Sequence, residues 1–297
     1  MISAQRILLL PRRNLRRSVA LALVFWPTLF ACAAQTPPSG GPLPSVPAIL
    51  AEVRAHQRQL DAIQENYTYR ETDQTQILSK KGKVEKTISQ EYQVFYVNSH
   101  EVRRLIAKNG HPLSAGQRRK QQKAVLKAVR DAQKTPPGQA PPGETVVSVS
   151  GILAVTRFSK PRRILLDGRP TIVFDFSGDP HAKAHGTAEK VARKASGTVW
   201  IDEKKLEVRR MSVQLDSTYR AGFGLVSLGK GSNLVFNQKL VNHQLWLPTS
   251  ADVFISAHAF GFIGAHARVH VTDSDYKRFQ AKAVQQAGAS LVTSNAH

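Results

Sequence analysis

A single cysteine, Cys32, in 297 residues excludes any intramolecular disulfide, so a packed core must hold the fold. Acidic residues are also scarce: 21 Asp+Glu stand against 42 Lys+Arg, a net charge of +21. Such a surplus favours polyanions as partners, whether nucleic acid, anionic headgroups or acidic polymers. Recognisable catalytic signatures are missing. There is no G-x-S-x-G elbow, and Gly229-Lys230-Gly231-Ser232 lies between strands rather than ahead of a helix, without the rest of a phosphate loop. His181 and His185 have the i, i+4 spacing of a helical ligand pair. Pro180 and Gly186 flank them, however, and the glutamate that follows the first histidine in zincins is absent. His266 and His270 share a strand face but lie about 13 Å apart at the usual strand rise, too far for one ion. No metal and no cofactor is therefore expected. Asp175, Asp202, Asp216 and Asp252 stand singly on strands or at turns, where turn and salt-bridge roles suffice.

What the chain does have begins with a leader. Arg12, Arg13, Arg16 and Arg17 precede the apolar run Ser18–Ala31, which is short for a membrane span and interrupted by Pro27. A basic segment, a short apolar segment and small residues after it predict an export signal over residues 1–31. Arg12-Arg13-Asn14-Leu15 resembles a twin-arginine signal, although a second Arg pair follows, so either export route stays open. Leu29-Phe30-Ala31-Cys32 resembles a bacterial lipobox, in which Cys32 would be acylated. Phe30 is larger than usual there, and cleavage after Ala33 or Ala34 would instead remove the thiol. Removing residues 1–31 takes away five arginines and no acid, so 37 basic and 21 acidic residues would still leave +16. Residues 32–47 are rich in Pro, Gly and Ser and read as a tether.

The stretch Gly197–Tyr276 is dominated by period-two alternation, as in Ala265, Ala267, Val269 and Val271 against His266, Arg268, His270 and Thr272. Asp202–Lys205, Lys230–Ser232 and Asn242-His243 read as turns, and no helix-length pattern intervenes, which predicts an antiparallel meander. Within one strand the apolar set shifts from even (Leu206, Val208) to odd (Met211, Val213, Leu215). Either a bulge near Arg209-Arg210 unites both sets on one face, or the strand is half buried on both.

Upstream, Ser45 is a candidate N-cap for an amphipathic helix running to Asn66. Strands follow to Val97, a turn at Asn98-Ser99 leads into Glu101–Ala107, and Asn109-Gly110 ends that strand. Ser114–Gln117 is a capping-box pattern for a strongly basic helix to Lys134, followed by a proline loop; residues 114–143 read as an insertion. This helix has few apolar residues and no interleaved aromatics to stack bases. It is expected to be a solvated face rather than a nucleic-acid site. In Val146–Val155 the spacing of Val146, Val149, Ile152 and Leu153 suits a short helix, which is the expectation, while the β-branched content suits a strand; Arg162–Phe176 fits a hairpin turning at Asp167-Gly168, and Thr187–Ser196 a short basic helix. Residues 280–297 read as a frayed tail. The strands on both sides of the proline loop belong to one mature domain.

The hairpin Gly197, Val199, Trp200, Ile201, Asp202 and the strand Leu245-Trp246-Leu247-Pro248, in an exported chain with an N-terminal amphipathic helix, resemble the lipoprotein-sorting superfamily: the LolA/LolB-like carriers and the related stress sensor RseB. The resemblance covers Leu50–Phe279, within a domain expected over residues 48–279. It implies an α+β fold, an antiparallel sheet curved into an unclosed half-barrel with helices over its concave face. It further implies a concave apolar surface for acyl chains, for which Phe95, Phe174, Phe176, Trp200, Met211, Val213, Phe236, Trp246 and Phe254 are the candidate lining residues. Core packing is the plainer role for each.

The expected function is non-enzymatic. A periplasmic or outer-membrane-anchored protein of a Gram-negative-type envelope would bind lipid or acylated lipoprotein, with basic rim residues against an anionic membrane surface and no nucleic-acid partner. The alternatives are a module that binds another envelope protein on the same fold, or a hydrolase whose site assembles from separated residues.

Overall fold

The computed structural model describes residues 2–3, 43, 45–136, 139–142, 146–147, 149–221, 226–241, 245–259 and 263–278. Nearly all of the export signal, Cys32, most of the tether, the Asn242-His243 turn and the tail lie outside them. Helix α1 spans Val46–Gln64. It therefore begins inside the last residues assigned to the tether. Four strands follow: β1 (Tyr67–Leu78), β2 (Val84–Val97), β3 (His100–Lys108) and β4 (His111–Pro112). Next come α2 (Ala115–Lys134), α3 (Val149–Ala154), β5 (Thr156–Leu166), β6 (Arg169–Gly178) and α4 (Thr187–Ala192). The remaining strands are β7 (Ala195–Asp202), β8 (Glu207–Leu215), β9 (Tyr219–Ala221), β10 (Val226–Leu228), β11 (Asn233–Val241), β12 (Leu245–Ala259) and β13 (Ile263–Arg278). Apart from these, Ile2–Ser3 pairs with Val146–Val147 in a small separate ladder.

The strands form one 13-stranded sheet in the order β4-β3-β2-β1-β13-β12-β11-β8-β7-β6-β5, with the β9–β10 hairpin attached to β12. Every pairing is antiparallel, and the terminal strands β4 and β5 do not meet. The fold is α+β and the barrel is not closed. Two meanders, one on each side of α2, are joined by a single ladder between β1 and β13.

Local chemistry accounts for the tight turns. Asn98-Ser99, Asn109-Gly110 and Asp167-Gly168 each place two consecutive residues at positive φ, the type I′ geometry whose twist matches that of paired strands. The apolar shift in β8 is resolved by a bulge between Val208 and Arg210. Val208 and Met211 consequently enter the same core, and Arg209 is the extra residue.

That core lies between the sheet and three helices. Ile49 and Val53 of α1, Ile152 and Leu153 of α3 and Ala192 of α4 cluster with Ile172, Phe174, Phe176, Val199, Ile201, Val208 and Met211 of β6–β8. Helix α2 packs elsewhere. Its capping box is formed as the sequence predicts, with Gln117 N–H donating to Ser114 Oγ and Ser114 N–H to Gln117 Oε1. Its last turn is pinned to the β2–β3 hairpin, where Asn98 Nδ2 donates to Ala132 O and Thr135 O, and His100 Nε2 lies 2.9 Å from Thr135 O.

Gly197 sits where β7 passes closest to its neighbours: an added Cβ would run into the Ser212 carbonyl and the Phe176 ring. Gly197→Ala is expected to lower stability by about 1–3 kcal/mol, the usual cost of overpacking, as read from the midpoint of urea unfolding.

Candidate functional site

The face covered by α1 can be followed strand by strand through the register. One row consists of Phe174, Val199, Met211, Phe236, Ala251 and Val271, and then reaches Asp73 on β1. The adjacent row on the same face is Phe176, Gly197, Val213, Leu234, Val253, Val269, Thr75 and Ile88. The first row is packed: Phe174 is 0 % exposed and Met211 1 %. In the second, Val213, Leu234, Val253, Thr75 and Ile88 are only half buried. This second row is a strip of side chains, apolar except for Thr75, running from β8 across β11, β12, β13 and β1 to β2. At the spacing of hydrogen-bonded strands it is about 24 Å long. At the open end, Ile77 is paired with the exposed Lys86.

Of the residues expected to line a cavity, Phe174, Phe176, Met211, Val213 and Phe236 stand on this face. Phe95, Trp200 and Phe254 do not. Trp200 and Phe254 alternate with Val199 and Val253 of these rows, and Phe95 with Val94 and Tyr96, which cluster with Tyr69, so the pleat turns each to the opposite face. Trp200 lies under the Arg210 guanidinium at 5.1 Å, and Phe254 stacks on His266. Trp246 is 3 % exposed and lies beneath two guanidinium groups, Arg209 at 4.8 Å and Arg169 at 5.8 Å. Period-two alternation separates the two faces of a strand but does not say which of them meets the helices, which depends on strand order and register.

Towards β1–β3 the same face becomes polar. Tyr69, Glu71 and Asp73 follow one another at alternate positions of β1, and β3 sets Arg103 beside them. The Arg103 guanidinium bonds Glu71, donates to Asp73 Oδ2 at 3.0 Å and lies 4.0 Å from Glu101. It also stacks 3.9 Å from the centre of the Tyr92 ring. Tyr276 of β13 stacks on Tyr69 at 5.0 Å and donates its hydroxyl hydrogen to Pro248 O. Burial alone would lower the Arg103 pKa, but the carboxylates of Glu71, Asp73 and Glu101 raise it above the usual arginine value. Burial, and then the nearby carboxylates, push the Tyr69, Tyr96 and Tyr276 hydroxyls well above theirs. The sequence reading passed over this cluster; the alternation Tyr67, Tyr69, Glu71, Asp73, aromatic passing to acidic on one strand face, was the available sign.

The four isolated aspartates have the plain roles expected of them. Asp175 pairs with Arg162 at 3.0 Å and Asp202 with Arg169 at 2.8 Å. Asp216 accepts from Ser196 Oγ, and Asp252 lies 2.6 Å from His270 Nδ1. His181 and His185 are exposed. Among the described residues no group of three or more His, Cys, Asp or Glu is arranged to hold a metal ion.

Two outcomes follow from the polar cluster. Arg103→Met leaves buried carboxylates without their cation and is expected to cost about 3–5 kcal/mol of unfolding free energy. Tyrosines with raised folded pKa values keep their protons when the unfolded chain loses its own. The stability they contribute is therefore complete below pH 10, the ordinary tyrosine value, and falls as pH rises above it. Urea unfolding from pH 8 to 11.5 should show a loss approaching about 1.4 kcal/mol per pH unit for each such tyrosine, and Tyr96→Phe should remove one share of that slope.

No family model matches the chain, and no curated protein matches it. Among solved structures it is similar to a crystal structure described as that of an outer membrane lipoprotein-sorting protein domain from Vibrio parahaemolyticus. Identity is 11 %, 77 % of this chain and 92 % of that chain are covered, and the TM-score is 0.36. It is also similar to MucB in complex with MucA(peri), at 9 % identity, with 78 % of this chain and 100 % of that chain covered and a TM-score of 0.23.

Proposed function

We propose that this chain is an exported envelope protein of a Gram-negative-type cell that binds lipid or lipoprotein acyl chains and catalyses no reaction. The supporting observation is the half-buried apolar row from Val213 through Leu234, Val253 and Thr75 to Ile88. An extended acyl chain laid along it would gain about 0.8 kcal/mol for each methylene removed from water. Lys86, and Lys80, Lys81 and Lys83 in the exposed β1–β2 turn, supply positive charge for an anionic headgroup at the same end. Cys32, if acylated, would add an anchor of its own.

A second reading has an observation behind it as well. The interior around Phe174 and Met211 is filled by α1 and α3. A short segment of another envelope protein, pressed against the half-buried row alone, needs no deeper cavity.

The two are separated by purifying the protein from its native host and recording native mass spectra before and after solvent extraction. Co-purifying lipid or acylated protein is the expected result. It should be lost in Leu234→Asn and Val253→Asn and retained in Trp200→Ala, whose side chain is on the other face. A clean apo mass with no uptake of a fluorescent fatty acid sinks the acyl-chain reading and leaves the protein segment in its place.

A further inference from the structure

Helix α2 plays no part in the row described above, yet it gathers the densest positive charge in the domain. Its inward stripe is Gln121, Val125, Ala128, Val129 and Ala132, which with Asp131 are the positions of partial or full burial. At 3.6 residues per turn, Arg119, Lys120, Lys123, Lys127, Arg130 and Lys134 all fall in an arc of about 100° directly opposite that stripe. All six are exposed. The only acid in the helix, Asp131, lies at the edge of the arc and pairs with Lys127, whose side chain stays 67 % exposed. From Arg119 to Lys134 the cations run about 22 Å along a straight axis.

The stripe is held in one orientation. The capping box and the bond from Arg118 Nη1 to Leu113 O secure the first turn, and Asn98 and His100 secure the last. The helix projects from the β2–β3 hairpin by way of His100. That residue alternates with Glu101 and Arg103, so it faces away from the charge cluster and the apolar rows.

We infer that the outward stripe of α2 is an electrostatic docking surface for an anionic phospholipid bilayer. A flat array of headgroup phosphates is complementary to a straight row of cations on a rigid helix, where each basic side chain near the surface contributes favourably. The flanking side chains are Gln, Ala and Leu126, with no aromatic to stack a base and no fork of polar groups to read one. The surface is independent of the acyl-chain row: docking through α2 leaves the opposite face of the sheet free, and either property can fail without the other.

The test uses the full chain and a Lys123→Gln/Lys127→Gln/Arg130→Gln variant, with sedimentation on vesicles of phosphatidylcholine alone or with 30 mol % phosphatidylglycerol. An apolar leader contributes equally to both proteins, so the stripe is read from the difference between them. Anionic vesicles should bind the wild type more tightly than the variant by on the order of a hundredfold at low salt. The difference should shrink as salt rises to about 0.5 M and be absent on phosphatidylcholine. Circular dichroism of the variant should match the wild type, since all three positions are exposed. Equal binding of the two proteins to anionic vesicles overturns the proposal. So does a stronger stripe-dependent binding to a random-sequence DNA duplex than to vesicles at equal phosphate concentration, which would assign the surface to nucleic acid.

Discussion

The ladder between β1 and β13 is the constraint on which the rest of the sheet depends. It pairs Tyr67–Leu78 with Ile263–Arg278, the first and last strands of the sheet-forming chain. Without it the two meanders would each expose an unpaired edge and an incomplete apolar face. With it, Val269 and Val271 extend the apolar rows as far as β1, and Asp273 and Tyr276 arrive beside Glu71 and Tyr69. A contact between such distant segments closes a long loop and pays its entropy only once. It also makes the assembled sheet a late, cooperative product of folding rather than a sum of hairpins.

Two chemically different halves result on one face. The β6–β8 half is closed by α1, α3 and α4 into a dry core, whereas the β1–β3 half buries an arginine among carboxylates and tyrosines. Between them lies the half-buried row. The bulge at Arg209 contributes to both order and shape. It carries Val208 and Met211 into the same core, and it frees the Arg209 guanidinium to bond Leu166 O, Thr171 Oγ1 and Asp167 Oδ2 while lying over Trp246. Burial lowers the pKa of that guanidinium, and the nearby Asp167 and Asp202 carboxylates offset only part of the effect. The network ties the β5–β6 turn to β8.

Helix α2 shows how a segment poor in apolar residues can still be ordered. Val125, Ala128, Val129 and Ala132 provide a narrow packing stripe, and side chains from the Asn98-Ser99 hairpin satisfy carbonyls at its C-terminus. Six of its seven basic residues occupy the outer arc, where no charge is buried unpaired, and Arg118, on the inward side, donates to Leu113 O.

The amino-acid sequence by itself determined what depends on near neighbours. It specified the helix at Val46 and the capped one from Ser114, the short helix near Thr187, and the turns at Asn98-Ser99, Asn109-Gly110 and Asp167-Gly168, whereas Val146–Val155 stayed open between helix and strand. The antiparallel meander was legible too, because period-two alternation and turn chemistry act over a few residues. Five of the nine candidate lining residues, Phe174, Phe176, Met211, Val213 and Phe236, stand on the face that α1 covers. Only the tertiary structure decided that Phe95, Trp200 and Phe254 face the other way, that Arg103 meets Glu71 and Asp73, and that β1 pairs with β13. Those outcomes rest on strand order and on bulges that shift parity by one residue, and both are settled by contacts between segments far apart in the chain.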